Sequence, residues 1–392
     1  MYPLIYDIII LGAGISGLLI GSELSKHHSI LMIEKEPGIL SNKYWLTNKK
    51  CCDQNEELID AIDSKYKFMD FISCYDHKYR CFGEYHLWDS EKLVRKLETM
   101  ILDNAGIILR DTTFYSFSYS KNSIDVRANT CTFRSKLIID CMGYSSPIIY
   151  AKNLIDIYGY YILIGSILKL KKSITPIGLG NIALNKNPKY LEVFPKSNNE
   201  AYVALIEPEK GIKKNHTLSK ELKFLIERSE YSRYFEKNDT PYSLHGLIPV
   251  GRMKAKSLDR IFLFGETSQM NPGATATCLT QLLYSYKEIA AEISRKIKAN
   301  KLTKNNLSID TPHLTKRNRK FHLSLFKGIL KWNSDDFSKL IQQMNNMDNK
   351  LVNDIIFGEI DFNSIVNLDI LIHLIRNRNF FVLKPLLKSL LY

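Results

Sequence analysis

An apolar, β-branched run at the start of the chain ends at Leu11 and passes directly into Gly12-Ala13-Gly14-Ile15-Ser16-Gly17. A helical stretch follows, then a second apolar run, Ser29-Ile30-Leu31-Met32-Ile33, closed by Glu34-Lys35. This order predicts a strand, a glycine-rich turn, a helix and a second strand. Residues 91–104 carry Leu93, Val94, Leu97, Met100 and Ile101 at helical spacing. A short strand over 106–109 comes next, and a hairpin over 114–119 and 123–127 turns on Ser120-Lys121-Asn122. Leu137-Ile138-Ile139-Asp140-Cys141-Met142-Gly143 reads as a buried strand closing on glycine. Between about 155 and 250 the pattern becomes alternating and aromatic-rich, with strands over 158–170, 190–195 and 201–206. The last two flank Lys196-Ser197-Asn198-Asn199, a hairpin turn. Arg260-Ile261-Phe262-Leu263-Phe264-Gly265-Glu266 is a further buried strand, followed by a long helix over about 274–298. Beyond Asn305 the chain is helical and basic, with Ser334 as an N-cap and Asp335 and Asp336 in the first turn.

The opening unit carries the dinucleotide-binding fingerprint in its full context. Gly12 permits the tight turn out of the strand, Gly14 lets backbone approach a pyrophosphate, and Gly17 lets the helix pack closely. Ile15 and Ser16 begin the helix, whose free N–H groups and partial positive charge suit phosphate. Glu34 can accept from a ribose 2′-OH and would repel a 2′-phosphate, so FAD or NAD fits and NADP does not. Lys35 follows it at the strand end.

Two further segments can close on the same ligand. Gly143, at the end of its strand, allows backbone to approach a pyrophosphate and adenosine. Gly265-Glu266 places an acid in reach of ribityl hydroxyls, and Asn271-Pro272-Gly273-Ala274 leads into a helix start. With one Gly-x-Gly-x-x-Gly in the chain, NAD(P)H is expected only as a transient reductant. The expected architecture is α/β. A Rossmann-like FAD-binding domain, residues 1–154 and 246–305 with small β insertions, holds an inserted β-rich substrate domain, 155–245. A helical C-terminal region covers 306–392.

Composition narrows the class. The chain has 392 residues, 45 % of them hydrophobic, enough for a sizeable core. No run of apolar residues is long enough for a membrane-spanning helix. The apolar start lacks a basic leader and reads as the first strand, not as a signal peptide. Seven cysteines without a Cys-x-x-Cys pair fit a reducing cytoplasm, and nine histidines show no metal-ligand spacing, so no metal is expected. The net charge of +13 suits an anionic surface or reflects only a Lys-rich composition. No nucleic-acid-binding motif accompanies it.

Together these segments resemble the FAD-dependent superfamily of aromatic hydroxylases, geranylgeranyl reductases and lycopene cyclases, most of all bacterial lycopene β-cyclases. Gly38-Ile39-Leu40-Ser41-Asn42-Lys43-Tyr44-Trp45 is similar to that family's Gly-Gly-Asn-His-x-Trp segment. Gly159-Tyr160-Tyr161 through Gly165 resembles the start of its substrate domain. Leu205-Ile206-Glu207-Pro208 resembles a segment whose first acid is catalytic, and Met270-Asn271-Pro272-Gly273-Ala274-Thr275 resembles its His-Pro-x-Thr-Gly segment. Phe357-Gly358-Glu359-Ile360-Asp361 is similar to its Phe-Tyr-Ala-Gly-Arg-Leu stretch. Lys43 stands in place of the family's His, Asn271 in place of its second His, and Glu266 in place of Asp.

The resemblance implies a proton-triggered cyclisation of a hydrophobic isoprenoid or polyene. An acid protonates an alkene, reduced FAD stabilises the carbocation, and proton loss ends the reaction. Glu207 is the implied acid. Its position at the end of an apolar strand fits burial, and the Glu209-Lys210-Gly211 that follows fits an exposed acid equally. Tyr44 and Trp45 could stack on flavin or polyene, or be core aromatics. Cys51-Cys52 reads as buried small hydrophobes or a redox pair. A monooxygenase or prenyl reductase of the same superfamily, or a non-catalytic flavin-binding protein, are the alternative functions. Residues 370–392 mix Ile, Leu and Phe with Arg376, Arg378, Lys384 and Lys388. That mixture suits an interfacial helix on an anionic membrane or one docked on its own protein.

Overall fold

The computed structural model describes residues 5–38, 43–129, 131–182, 188–212, 216–236, 243–311, 314–362 and Pro385. Within Gly38–Trp45, residues 39–42 lie outside these, as do residues 370–392 apart from Pro385.

The strands β1 (Ile5–Leu11) and β2 (Ile30–Ile33), joined by α1 (Ile15–Leu24), form the expected opening unit. β1 pairs in parallel with β2, Leu11 opposite Ile33. The chain then leaves this sheet as β3 (Tyr44–Asn48), α2 (Lys50–Asp53), β4 (Ile62–Ile72) and β5 (Lys78–Asp89). It returns through α3 (Ser90–Asp103), capped by Asp89, whose side chain accepts from Glu91 and Lys92 N–H. β6 (Ile107–Leu109), the hairpin β7 (Phe114–Tyr119) and β8 (Ile124–Ala128), and β9 (Cys131–Asp140) follow. After the short α4 (Pro147–Ala151) come β10 (Ile155–Lys169) and a meander of β11 (Ile177–Ile182), β12 (Lys189–Pro195) and β13 (Glu200–Glu209), the last of which pairs back on β10. α5 (His216–Arg228) and β14 (Leu244–Met253) complete that part. β15 (Ser257–Leu258) and β16 (Ile261–Leu263) lead to α6 (Cys278–Lys298). The chain ends its described course in α7 (Lys316–Ile329), α8 (Ser334–Met344) and α9 (Asn349–Phe357).

The first sheet has the order β15-β16-β9-β1-β2-β6, with β8 and β7 added on β9. β6, β2, β1, β9 and β16 are parallel neighbours. Numbered along the chain within this set, that is the 3-2-1-4-5 order of the doubly wound dinucleotide fold. The order reverses between β1 and β9, so a crevice opens at their carboxyl ends, beyond Leu11 and Asp140. Near-continuous apolar strands follow from helices on both faces: Ile8 and Ile10 pack toward α1, α3 and α6, Ile9 and Leu11 toward the hairpin and α4.

The second sheet is β14-β10-β13-β12-β11-β4-β5-β3. Its strands come from both sides of the expected 155–245 insertion. β3, β4 and β5 join it through a parallel pairing of β4 with β11, Asp70 opposite Ile177. β14 belongs to it along its length, pairing with β10. A buried Asp70 carboxylate anchors that junction, held by Arg80 Nε at 2.8 Å, Lys78 Nζ at 2.7 Å and Thr175 Oγ1 at 2.7 Å. α5 covers one face over β10–β13, and α7, α8 and α9 pack against β4, β5 and β14. No helix among the described residues is long and apolar enough to cross a membrane.

Candidate functional site

Three loops meet at the switch point. Gly12 sits at φ +98°, and a Cβ there would lie 2.8 Å from the Cys141 carbonyl oxygen. Gly17 packs so closely on the turn that a Cβ would lie 2.0 Å from the Gly12 carbonyl oxygen. Gly265 has φ +71°, and its missing Cβ makes room for the Ser16 hydroxyl, 2.1 Å from where that carbon would be. Gly14 is different: it caps α1 in an extended conformation, and nothing lies within 4 Å of an added Cβ. The helix N-terminus therefore faces open space bounded by glycine backbone, a cradle for an anion.

Glu34 is buried at the end of β2. Its Oε2 accepts from Ala13 N–H at 2.7 Å and its Oε1 from Glu36 N–H at 2.9 Å. A carboxylate offers about four acceptor positions, so roughly two remain for hydroxyls. Lys35 points to solvent and pairs with Glu36 at 3.4 Å. Arg110, which no sequence pattern singled out, stands at the end of β6 and donates to the Gly38 carbonyl at 2.6 Å while pairing with Glu98.

Opposite, Gly143 has φ +65° and donates its N–H to Thr267 Oγ1 at 2.8 Å. Tyr144 N–H donates to Glu266 Oε1 at 3.1 Å. Burial pushes the Glu266 carboxyl up to about 7, against the Tyr144 hydrogen bond and the Lys43 charge. Lys43 itself is anchored on the His245 carbonyl at 3.0 Å. Asp140 beneath Gly143 is raised to about 6 by burial while holding Ser146 Oγ at 2.5 Å and Met142 N–H at 3.0 Å.

The segment after Glu266 departs from expectation. α6 begins at Cys278, not at Ala274, because Pro272–Thr277 forms a turn, with Thr275 and Ala276 N–H both on the Pro272 carbonyl. Pro272, Gly273 and Ala274 are thus part of a buried loop and not a helix N-terminus. Gly273 packs on Val250, Pro272 on Gly358, and Ala274 accepts from Tyr161 OH at 2.7 Å. Arg319 of α7 clamps the loop with a 2.5 Å bond to the Gln269 carbonyl. Asn271, also buried, has no partner for either amide atom.

The second sheet supplies the other wall. Along β12 and β13 alternate residues face opposite ways. Leu191, Val193, Val203 and Leu205 pack under α5, whereas Phe194 and Tyr202 meet Tyr44, and Ile206 meets Val250. Tyr44 stacks on Tyr202 at 5.4 Å and lies 5.8 Å from Phe194. Its hydroxyl donates to Glu192 Oε2 at 2.5 Å. Trp45, one residue on, points the other way and packs on the first core beside Trp88, a core aromatic.

Glu207 has the parity of Leu205 and so lies on the α5 face. It is buried and paired there with Lys189 Nζ at 3.6 Å, which also holds Glu221 of α5 at 2.5 Å. The structure does not bring Glu207 to the wall shared with Tyr44. The acid on that wall is Glu192, which the sequence reading missed. Cys51 and Cys52 are buried free thiols, not a disulfide. Cys52 Sγ lies 2.8 Å from His86 Nδ1, and burial pushes the thiol up to about 12.

No protein-family model matches this sequence, and no curated protein matches it. Solved structures do. A geranylgeranyl bacteriochlorophyll reductase-like protein from Thermoplasma acidophilum superposes with a TM-score of 0.73 at 14 % identity, over 97 % of this chain and 98 % of that one. The halogenase PltM in complex with phloroglucinol and FAD gives 0.63 at 12 % identity, over 98 % and 95 %. The p-nitrophenol 4-monooxygenase from Pseudomonas putida gives 0.63 at 11 % identity, over 97 % and 99 %. At such identities the likeness is one of fold, and it spans both sheets and the C-terminal helices.

Proposed function

We propose that the chain is an FAD-dependent enzyme acting on an apolar isoprenoid or polyene held between the dinucleotide crevice and the aromatic wall of the second sheet. The observation that supports it is the meeting of the Gly12–Gly17 turn, Gly143 and Gly265-Glu266, with open space over Gly14, beside an aromatic cluster of Tyr44, Phe194 and Tyr202 that follows directly on Lys43, whose charge acts on Glu266. The residues fit FAD. Gly14 leaves room for a pyrophosphate at the start of α1, and Glu34 keeps acceptor capacity for ribose hydroxyls. Glu266 faces Gly143, and the unpartnered Asn271 amide offers a donor and an acceptor to a polar ring edge.

Reduced flavin, when bound, supplies negative charge that stabilises a carbocation, or a hydride that quenches it. The protein's share is to exclude water, to hold the substrate against aromatic faces and to deliver a proton. Aromatic rings also stabilise a passing cation through their negative faces. Cyclisation needs no net electrons, and NAD(P)H serves only to keep the flavin reduced. The structural likeness to a reductase-like protein makes alkene reduction the second reading.

Purified protein is expected to be yellow and to release FAD on denaturation. Expression in a carotenoid-producing host, followed by lipid analysis, tests the substrate class. An isomeric product without stoichiometric NAD(P)H use supports cyclisation. A hydrogenated product with one NAD(P)H consumed per double bond supports reduction. Colourless protein that takes up no FAD refutes the proposal.

A further inference from the structure

Glu192 stands on β12 between Tyr190 and Phe194 and directly opposite Ala204 of β13, in the middle of the second sheet. It is half-buried, as are Tyr44, Leu46, Leu163 and Tyr190 on the same face, although the reverse face is sealed by α5 behind β10–β13 and by the first core behind β3. Partial exposure at the centre of a sheet, with a packed layer behind, means that these groups border interior space. The Glu192 charge acts on three tyrosine hydroxyls around it: Tyr44 from β3, Tyr161 from β10 and Tyr190 from its own strand. Burial raises the Glu192 carboxyl to about 7, and the hydrogen bond from Tyr44 pulls it down. The acid is therefore available in protonated form near neutral pH, as a general acid requires. Tyr44 OH, 2.5 Å away, holds one oxygen and leaves the other free to carry the proton.

We propose that Glu192, positioned by Tyr44, is the group that hands a proton to the substrate. This rests on the reading of the site as one for an apolar alkene. The Glu192 O–H bond breaks and a C–H bond forms at the less substituted alkene carbon, leaving a tertiary cation and a carboxylate. Attack by a second double bond forms the ring C–C bond. Loss of a proton from a neighbouring carbon back to the Glu192 carboxylate restores the acid, so the sum is an isomerisation. Glu207, locked to Lys189 behind the sheet, takes no part.

The test uses FAD-loaded full-length protein and infrared difference spectroscopy of carboxyl C=O bands, with Glu192→Gln as the subtraction. The expected result is a buried carboxyl band that titrates with a midpoint near 7, is absent from Glu192→Gln and persists in Glu207→Gln. Tyr44→Phe should move the midpoint upward, because the lost hydrogen bond favoured the carboxylate; a merely structural Tyr44 would leave it in place. Squalene in detergent micelles is the probe: it should shift the Glu192 band at pH 6. Glu192 ionised at pH 6, or a band that squalene leaves unchanged while the flavin absorbance responds, overturns the proposal. Failure of the functional reading looks different: FAD is not retained, or neither flavin nor carboxyl responds to squalene while the midpoint near 7 still stands. Retained cyclisation by Glu192→Gln in the carotenoid-producing host also overturns it.

Discussion

Gly14 and Gly17 lie three positions apart in one turn, and the structure gives them opposite roles that paired alanine substitutions can separate. At Gly17 the new Cβ would stand 2.0 Å from the Gly12 carbonyl oxygen, against about 3.3 Å for an ordinary carbon–oxygen contact. The start of α1 must then move away from the turn by about 1.3 Å, an overpacking that costs about 1–3 kcal/mol. Unfolding entropy of about 2.1 cal/mol/K per residue makes roughly 0.8 kcal/mol/K for 392 residues, so apoprotein Tm should fall by about 1–4 °C. At Gly14 the backbone, φ −72° and ψ 176°, suits alanine, and no atom lies within 4 Å of the added carbon. Apoprotein Tm should hold or rise by about 1 °C, since alanine narrows the unfolded ensemble by about 0.4–1 kcal/mol. FAD at a hundredfold excess over Kd adds about 2.7 kcal/mol, or about 3 °C, to wild-type protein. Gly14→Ala should lose that increment and its bound flavin, because the methyl group projects into the phosphate cradle. Scanning calorimetry with and without FAD, beside flavin absorbance per chain, reads both effects. A Gly14→Ala protein that keeps full FAD and the full increment would show that the space over Gly14 is not the phosphate site.

Glu34→Arg removes the acceptor for Ala13 and Glu36 N–H together with the ribose contact, and should weaken FAD binding by about 1.5–3 kcal/mol in a fluorescence titration; unchanged affinity would refute the ribose role. Glu192 has a folded-state value near 7 against 4.5 when unfolded, so its ionisation opposes folding as pH rises between those values. Urea unfolding should therefore show Glu192→Gln gaining on wild type by about 3 kcal/mol between pH 4.5 and 8, with the gain complete above pH 7. The difference between the two proteins is the quantity to measure, because the buried His322, lowered to about 3, acts in the opposite sense; a pH-independent difference would mean that Glu192 is ionised normally. Glu207→Gln should keep FAD and turnover and cost less than about 2 kcal/mol, since Lys189 retains Glu221 at 2.5 Å; loss of turnover with FAD intact would restore Glu207 as the acid. The apolar and basic residues 370–392 should carry the protein to anionic liposomes in flotation and release it at high salt; equal recovery with neutral and anionic vesicles would refute the reading of this segment as an interfacial helix.

What the sequence determined by itself was local. Gly12, Gly14 and Gly17 were legible because a tight turn and close helix packing demand glycine wherever they occur. Gly143 and Gly265, both at positive φ, were legible as strand ends for the same reason. The 190–195 and 201–206 hairpin came from alternation around a polar turn. The cap of α8 was displaced by one residue: Asn333 caps it, and Asp336 reaches back to the Asn333 N–H, a reciprocal pair that Ser334 obscured. Long-range pairing was illegible. Nothing local in residues 44–89 says that β4 will lie beside β11, because that register depends on strands a hundred residues apart.

The acid shows the division most sharply. Period-2 alternation puts Tyr190, Glu192 and Phe194 on one face of β12 and Lys189, Leu191 and Val193 on the other. In a sheet with one wet face, polarity would tell inside from outside. Here α5 seals one face and the aromatic wall lines the other, so both faces are largely apolar, with the Lys189–Glu207 pair on the first and Glu192 on the second. Sequence could divide the residues into two sets; only the packing of α5 against one of them decided that Glu207 is held behind the sheet and Glu192 stands before it.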